Sequence, residues 1–437
     1  MGHDGRQGSV RRRSVRRVLG DHTFRSLRHR NYRLYFFGQI VSLTGSWMQS
    51  AALMWLIYDR TNDPMWPALL LVAQVGPTLL LGTWGGVLAD RLPKRQLVMV
   101  TQASFLVTAL TLTFLVASNF AHPWLLFAVQ LVNGVIQAVD LPTRFAFVPN
   151  LVPKPDLMNA VSLNALVFNV ARAIGPALAG GLFWLAQAII DNGFLPGSRP
   201  VMLGAIWCFT LNSTSYIAVL MALQRITVDG ASTTSEQSGP MLAGFWYVWN
   251  DPRLKALLLL TGIICVFAWP ALTLFPPYTK LVLNHAEKEY SLLVSSLGAG
   301  ALISALIGAT FGTFARRGLF LAIGAAFTVV GLTLLSVAGS LPFAIAGSGS
   351  LGFGLIFYLA TGQSTLQLSV ADDMRGRVMS LWAMMLSASA PIGHLLAGWA
   401  AQTWPIRDVF IALTIGAGVS TIGIGALVLS PGWKRLK

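Results

Sequence analysis

One feature limits what this chain can fold into: a succession of apolar stretches, each near the ~20 residues that a helix rising 1.5 Å per residue needs to cross ~30 Å of hydrocarbon. Stretches such as 256–268 are apolar on every side. That selects helices over a membrane barrel, whose strands alternate apolar and polar residues. Of 437 residues, 54% are hydrophobic and 11% charged, whereas soluble domains carry roughly 25% charged residues. Twelve spanning helices are expected, at 32–58, 65–89, 96–116, 123–147, 157–190, 200–223, 253–283, 290–314, 318–340, 342–366, 375–401 and 407–429. Pro123 and Pro200 open the fourth and sixth, where a missing N–H costs little.

The net charge of +15 is laid out by topology and gives no reason to invoke nucleic acid. A basic tail and interfacial segment (1–31), including Arg6, Arg11, Arg12, Arg13, Arg16 and Arg17, precedes an N-terminal bundle at 32–223. A linker rich in Ser, Thr and Gly follows at 224–252, then a second bundle at 253–429 and a basic tail at 430–437. The odd-numbered loops hold few cations, so the positive-inside rule sets both termini in the cytoplasm and the chain in the cell (inner) membrane. The first tail is expected to associate with anionic membrane lipids. Cys208 and Cys265 sit inside apolar helices, which supports neither a disulfide framework nor a metal cluster, and no cofactor motif is visible. Dispersed histidines and the lack of a carboxylate pair within the spans argue against a membrane enzyme or sensor.

An internal repeat is legible. Residues 174–180, Ile-Gly-Pro-Ala-Leu-Ala-Gly, recur as Ile-Gly-His-Leu-Leu-Ala-Gly at 392–398, a shift of 218 that also aligns Val152, Ser162 and Leu163 with Val370, Ser380 and Leu381. A shift of 226 sets Gly86, Ala89 and Arg91 over Gly312, Ala315 and Arg317. Helix 4 carries Gln130, Asn133, Gln137, Asp140 and Arg144 in steps of three and four, hence on one face. Helix 1 does the same with Tyr35, Gln39, Ser42, Ser46 and Gln49, and helix 10 with Tyr358, Thr361 and Thr365. Polar groups in hydrocarbon must face protein or water. Helix-to-helix hydrogen bonding and contact with a ligand are both open for these amides and hydroxyls. Asp140 is the only carboxylate well inside an apolar helix. Arg172 lies about 20 Å into helix 5 and can reach along it, so a direct or water-bridged pair with Asp140 is possible. A cycle that makes and breaks that pair would bind and release a proton, with His394 the next candidate; a permanent structural pair is the alternative.

The turn Trp84-Gly85-Gly86-Val87-Leu88-Ala89-Asp90-Arg91-Leu92-Pro93-Lys94-Arg95 resembles the loop signature of the major facilitator superfamily. It supplies Gly86, Asp90, Arg91, Lys94 and Arg95, with Pro93 where the family usually has Gly; Gly85 and Gly86 are suited to close helix packing. Gly175-Pro176 followed by Gly180 and Gly181 is similar to the helix 5 signature of that superfamily's antiporters, whereas Gln130 stands where their helix 4 Arg is expected. The stretches from Asp140 to Pro176, Asp372 to Ser380, and Gly45 to Gln49 resemble the enterobactin-exporter-like branch of bacterial drug:proton antiporters. The resemblance implies an all-α membrane protein of two pseudo-symmetric six-helix bundles with a central cavity. It further implies proton-coupled efflux of a small, partly apolar molecule by a monomer, the cavity being lined from helices 1, 4, 7 (Trp269, Thr273) and 10. Asp90, near Arg144 and the start of helix 11 at Arg375, is then the cytoplasmic gate. Uptake or facilitative carriage is the alternative.

Overall fold

The structure, a computed structural model, describes residues 24–195, 199–228, 230, 241–311 and 317–430. The arginine-rich start, most of the linker, the repeat positions Gly312, Ala315 and Arg316, and the basic end lie outside the described residues. Twelve helices are long and apolar enough to span a membrane. They are α1 (Arg30–Thr61), α2 (Met65–Arg91), α3 (Lys94–Ala117), α4 (Pro123–Leu151), α5 (Leu157–Asp191), α6 (Pro200–Gln224), α7 (Pro252–Leu281), α8 (Glu287–Phe311), α9 (Arg317–Val337), α10 (Leu341–Ser369), α11 (Asp372–Thr403) and α12 (Ile406–Leu429).

Local chemistry sets the boundaries. Asp251 caps α7 by accepting from the Arg253 and Leu254 amides at 2.9 and 3.4 Å, the usual use of a short carboxylate at a helix start. Asn62 closes α1 in the left-handed region at φ 50°, which asparagine tolerates better than most residues. The turn after α2 needs no left-handed residue. Leu92 is extended (φ −103°, ψ 155°), as a residue before proline prefers, and Pro93 at φ −58° leads directly into α3. One expected helix is interrupted: α7 breaks into Pro252–Ala268 and Ala271–Leu281, because Pro270 offers no N–H to the preceding turn.

The packing repeats itself after six helices. α1 packs on α5 and α6, α2 on α4, and α3 on α4 and α6; correspondingly α7 packs on α11 and α12, α8 on α10, and α9 on α10 and α12. The halves meet through α2 with α11 and α5 with α8. Sequence repeat and structure agree in detail. A side chain at Gly175 would press on Trp47 (2.6 Å) and Thr44 of α1, and one at Gly393, 218 residues later, would press on Val266 and Pro270 of α7. Likewise Gly180 meets Ser291 of α8 at 2.7 Å, and Gly398 meets Ala68 of α2 at 2.8 Å.

Outside the spans lies a short 3-10 helix, Arg25–Arg28, within the segment expected at the membrane interface. It docks on the start of α5. Asp156 holds the Arg25 Nε at 2.6 Å and the His29 Nε2 at 2.7 Å, while the Ser26 hydroxyl donates to the Asp156 carbonyl at 2.9 Å. The surface helix Met241–Asn250 leads into α7 and exposes Phe245, Trp246 and Trp249, with the Lys255 ammonium 4.9 Å from the Trp249 ring centre. Aromatic rings of this kind suit the polar boundary of a bilayer.

Candidate transport site and gates

The predicted polar faces of α1 and α4 turn into the N-terminal half rather than into the space between halves. Asp140 is fully enclosed. It accepts from the Thr101 hydroxyl at 2.6 Å and the Gln102 amide at 3.0 Å, both on α3. Its other oxygen lies 2.8 Å from the Arg144 Nε, close enough for an ion pair though not aligned as a hydrogen bond. Arg144 also donates to Gln39 of α1. Around this centre Ser42 donates to Gln102 (3.3 Å), Thr108 to Asn133 (2.6 Å), Asn133 to Gln130 (2.7 Å), Asn212 to Gln49 (2.8 Å), and the Ser46 and Tyr216 hydroxyls share a hydrogen bond at 2.9 Å. A network of this kind satisfies groups that would otherwise be costly in hydrocarbon.

The expected Asp140–Arg172 pair does not form. Arg144 lies one helical turn from Asp140 and takes its charge, while Arg172 is turned the other way, toward α8 and the second half. The Arg172 guanidinium lies 5.1 Å from the ring centres of both Trp47 and Phe168. Among the described residues it makes no ion pair or hydrogen bond, and its Nε is buried without a partner. Beside it lies a narrow crevice of about 20 Å³ whose far wall is Trp269, Leu272, Leu297, Leu355 and Ile356 of the C-terminal half. Of the residues expected to line a cavity, Trp269 does so. Thr273 and Tyr358 are buried inside the second half, the latter sharing a 2.8 Å hydrogen bond with Thr261. Gln137 and Thr361 are half-buried. His394 is buried on α11 with its Nδ1 lacking a partner among the described residues. The leucines of the wall escape sequence reasoning because nothing distinguishes them from lipid-facing leucines.

One end of the molecule is shut. Away from the termini, the Lys280 ammonium donates to Asn62 at 2.9 Å and Asp59 at 3.4 Å, Gln402 donates to Asp63 at 3.0 Å, and Trp55 stacks on Tyr290 with ring centres 5.3 Å apart. Each of these joins the two halves, and none has a local signal in the sequence. Toward the termini the same face of α2 loses its close neighbour. Gly86 lies eighteen residues beyond Ala68, a whole number of α-helical turns and therefore on the same face, yet a side chain there would meet nothing within 4 Å, whereas Ala68 touches α11. The close approach expected of Gly85 and Gly86 falls to Gly85 alone, where a methyl group would overlap the Ala138 carbonyl of α4. In the same way Gly175 and Gly180 pack tightly, beside a buried Pro176, and Gly181 faces open space.

The residues expected to form the cytoplasmic gate scatter accordingly. Asp90 is half-buried and makes no ion pair among the described residues, although it stands five residues beyond Gly85 and Arg144 five beyond Val139, about 7.5 Å along neighbouring helices. Arg91 is exposed, and Lys94 is buried. Arg95 caps α6 through the carbonyls of Leu223 (3.0 Å) and Gln224 (3.3 Å), and Arg375 bonds the Gln367 carbonyl at 2.9 Å.

Two six-helix halves of like packing, joined through α2 with α11 and α5 with α8, define a membrane transporter of the major facilitator fold. Solved structures agree on the fold. A bacterial homologue of the human lysosomal transporter Spinster, inward-facing and unoccupied, superposes with a TM-score of 0.69 at 12% identity, over 91% of this chain and 97% of that one. A POT family transporter in complex with 5-aminolevulinic acid gives 0.69 at 14%, over 92% and 96%. Residues 21–431 match the transmembrane secretion effector family, and the chain belongs to it. The staphyloferrin A transporter of Staphylococcus aureus is 23% identical over 90% of this chain and 94% of its own. The macrolide efflux protein A of Streptococcus pyogenes is 24% identical over 88% and 93%, and the enterobactin exporter of Salmonella typhimurium 23% over 94% and 94%.

Proposed function

We propose that this protein is a proton-coupled secondary transporter that exports a small, partly apolar organic molecule, drug-like or siderophore-like, by alternating access. The observation that carries the reading is the arrangement of the two halves. They are latched by a few exchangeable polar contacts at one end, lack a close neighbour at Gly86 toward the other, and are joined in mid-membrane beside a crevice with an aromatic and aliphatic wall. Rocking the halves about α2–α11 and α5–α8 exposes that crevice to either side in turn. With both termini cytoplasmic, the described state is the one that loads from inside.

Coupling is assigned to Asp140 with Arg144. Arg144 keeps 17% of its side chain exposed and lies at the level of Asp90 on α2 of the same half, which has no ion pair among the described residues, so a rotation of the Arg144 side chain exchanges one carboxylate for the other. Asp140 is then free to take a proton. Asp90 and the first turn of α11 around Arg375 form the cytoplasmic gate, an anion near a helix start being favoured. The test is a resistance and secretion screen of a deletion strain, followed by flux of the compound found in everted and right-side-out vesicles under an imposed pH gradient. Accumulation in everted vesicles is expected; flux only into right-side-out vesicles would replace export by uptake.

A further inference from the structure

We infer that Arg172 is the anchor of a ligand-binding site and that the ligand carries a negatively charged group, a carboxylate or similar oxyanion, joined to an apolar body. This names a substrate class for the exporter proposed above, but the binding step stands without the transport reading.

Arg172 lies fifteen residues into α5, about 22 Å from its start and so near mid-membrane. A cation there is costly unless something compensates it, and such residues ordinarily pair with a carboxylate or a backbone carbonyl. Asp140, the nearest candidate from the sequence, is occupied by three other groups. Arg172 has only the faces of Trp47 and Phe168, which favour a cation but accept none of its hydrogen bonds. The two rings flank the guanidinium at 80° to each other and leave its N–H groups without an acceptor among the described residues. An oxyanion, which arginine can take with two parallel bonds, would supply one.

The surroundings specify the rest of the ligand. The side chain borders the crevice between halves, where the facing residues Trp269, Leu272, Leu297, Leu355 and Ile356 form an apolar wall with no second cation; the crevice is narrow in this state and takes an aromatic or aliphatic body only as the halves move apart. The site also lies where the halves cross. The Arg172 carbonyl and Ala173 would meet a side chain at Gly298 of α8 at 2.5 and 2.7 Å, so a ligand held here touches both bodies that must move.

Three probes of one shape and different charge test this: radiolabelled 2-naphthoate, 2-naphthamide and 2-naphthylmethylammonium, bound to the purified full chain in phosphatidylcholine nanodiscs. Naphthoate should bind saturably and about tenfold to a hundredfold more tightly than either competitor, the range of one charge-assisted contact. Arg172→Gln should bind all three alike, and Arg172→Lys should keep part of the preference. If Arg172→Gln unfolds, Leu355→Phe, which fills the wall opposite, should weaken all three probes together. Equal binding of the three by the wild-type chain, an unchanged preference in a folded Arg172→Gln, or no saturable naphthoate binding up to millimolar concentration would each overturn the assignment. Loss of export with the charge preference intact would instead count against the transport reading alone.

Discussion

Asp140→Asn separates a structural ion pair from a coupling one. The wild-type carboxylate has no exposed surface, two donors on α3 at 2.6 and 3.0 Å, and a guanidinium at 2.8 Å. The variant leaves Arg144 facing a neutral amide and points amide hydrogens toward groups that already donate. Removing one member of a buried pair costs about 3–5 kcal/mol. The partial exposure of Arg144 and its remaining bond to Gln39 put the expected loss at the lower end, about 3 kcal/mol. In Asp140→Asn/Arg144→Gln both charges are gone, and more than half of that loss should return, since neutral replacement of a whole buried pair is close to neutral. Thermal unfolding in detergent reads this part. Transport reads the other: the restored double variant should still exchange substrate down its gradient in everted vesicles and should no longer be driven by a pH gradient. A stable double variant that pumps like the wild type under that gradient would refute the coupling role. A loss below about 1 kcal/mol in Asp140→Asn would refute the energetic reasoning as well.

At Gly85→Ala the new methyl overlaps the Ala138 carbonyl and should cost about 1–3 kcal/mol by forcing α2 from α4, while Gly181→Ala, in open space, should stay within about 0.5 kcal/mol; parallel thermal melts compare them. Lys280→Ala/Gln402→Ala removes the latch and should raise labelling of Ala68→Cys by an impermeant maleimide added from the latched side, unchanged labelling counting against that gate. Asp90→Asn should leave the terminal end open for longer, seen as increased maleimide labelling of Gly86→Cys in everted vesicles, and equal labelling would remove Asp90 from the gate.

Most of the fold was legible in the sequence because a bilayer forces it. Span length, flanking charge and the 218-residue repeat all act through local spacing, and they recovered twelve helices and the pairing of halves. The break in α7 was also written there, in Pro270, but a helix inside a bundle often absorbs a proline, so its presence alone did not predict a break. Site residues were harder. Spacing placed Gln130, Asn133 and Asp140 correctly on one face, but a face can turn toward its own bundle or toward the cavity, and that depends on packing against α1 and α3. The choice of Arg144 over Arg172 as partner of Asp140 had a local signal, the i,i+4 spacing, which brings two side chains together without any tertiary contact. The crevice wall and the Lys280 contacts had none, since Leu355 borders the crevice, and Lys280 reaches Asp59 and Asn62, only when the halves meet.

The two halves share one skeleton and divide its chemistry unequally. The shift of 218 sets Asp140 over Tyr358, Arg144 over Gly362, Asn133 over Leu351 and Arg172 over Ala390. Where the first half encloses a carboxylate, the second encloses a phenol bonded to Thr261. A second buried ion pair would carry its own desolvation cost, and the second half instead supplies the apolar wall of the crevice. Rigid-body rocking preserves contacts within a half, so a proton site enclosed in one half cannot feel the motion unless something links it to the interface. α1 has the contacts for this. Through Gln39 it holds Arg144, and eight residues on, about 12 Å along the same helix, it holds Arg172 through Trp47. On the proposed mechanism, an anion that draws on Arg172 and a proton that releases Arg144 act on one rigid rod. The coupling between them then needs no direct contact between Asp140 and Arg172, which explains why a pair so natural in the sequence is not made in the structure.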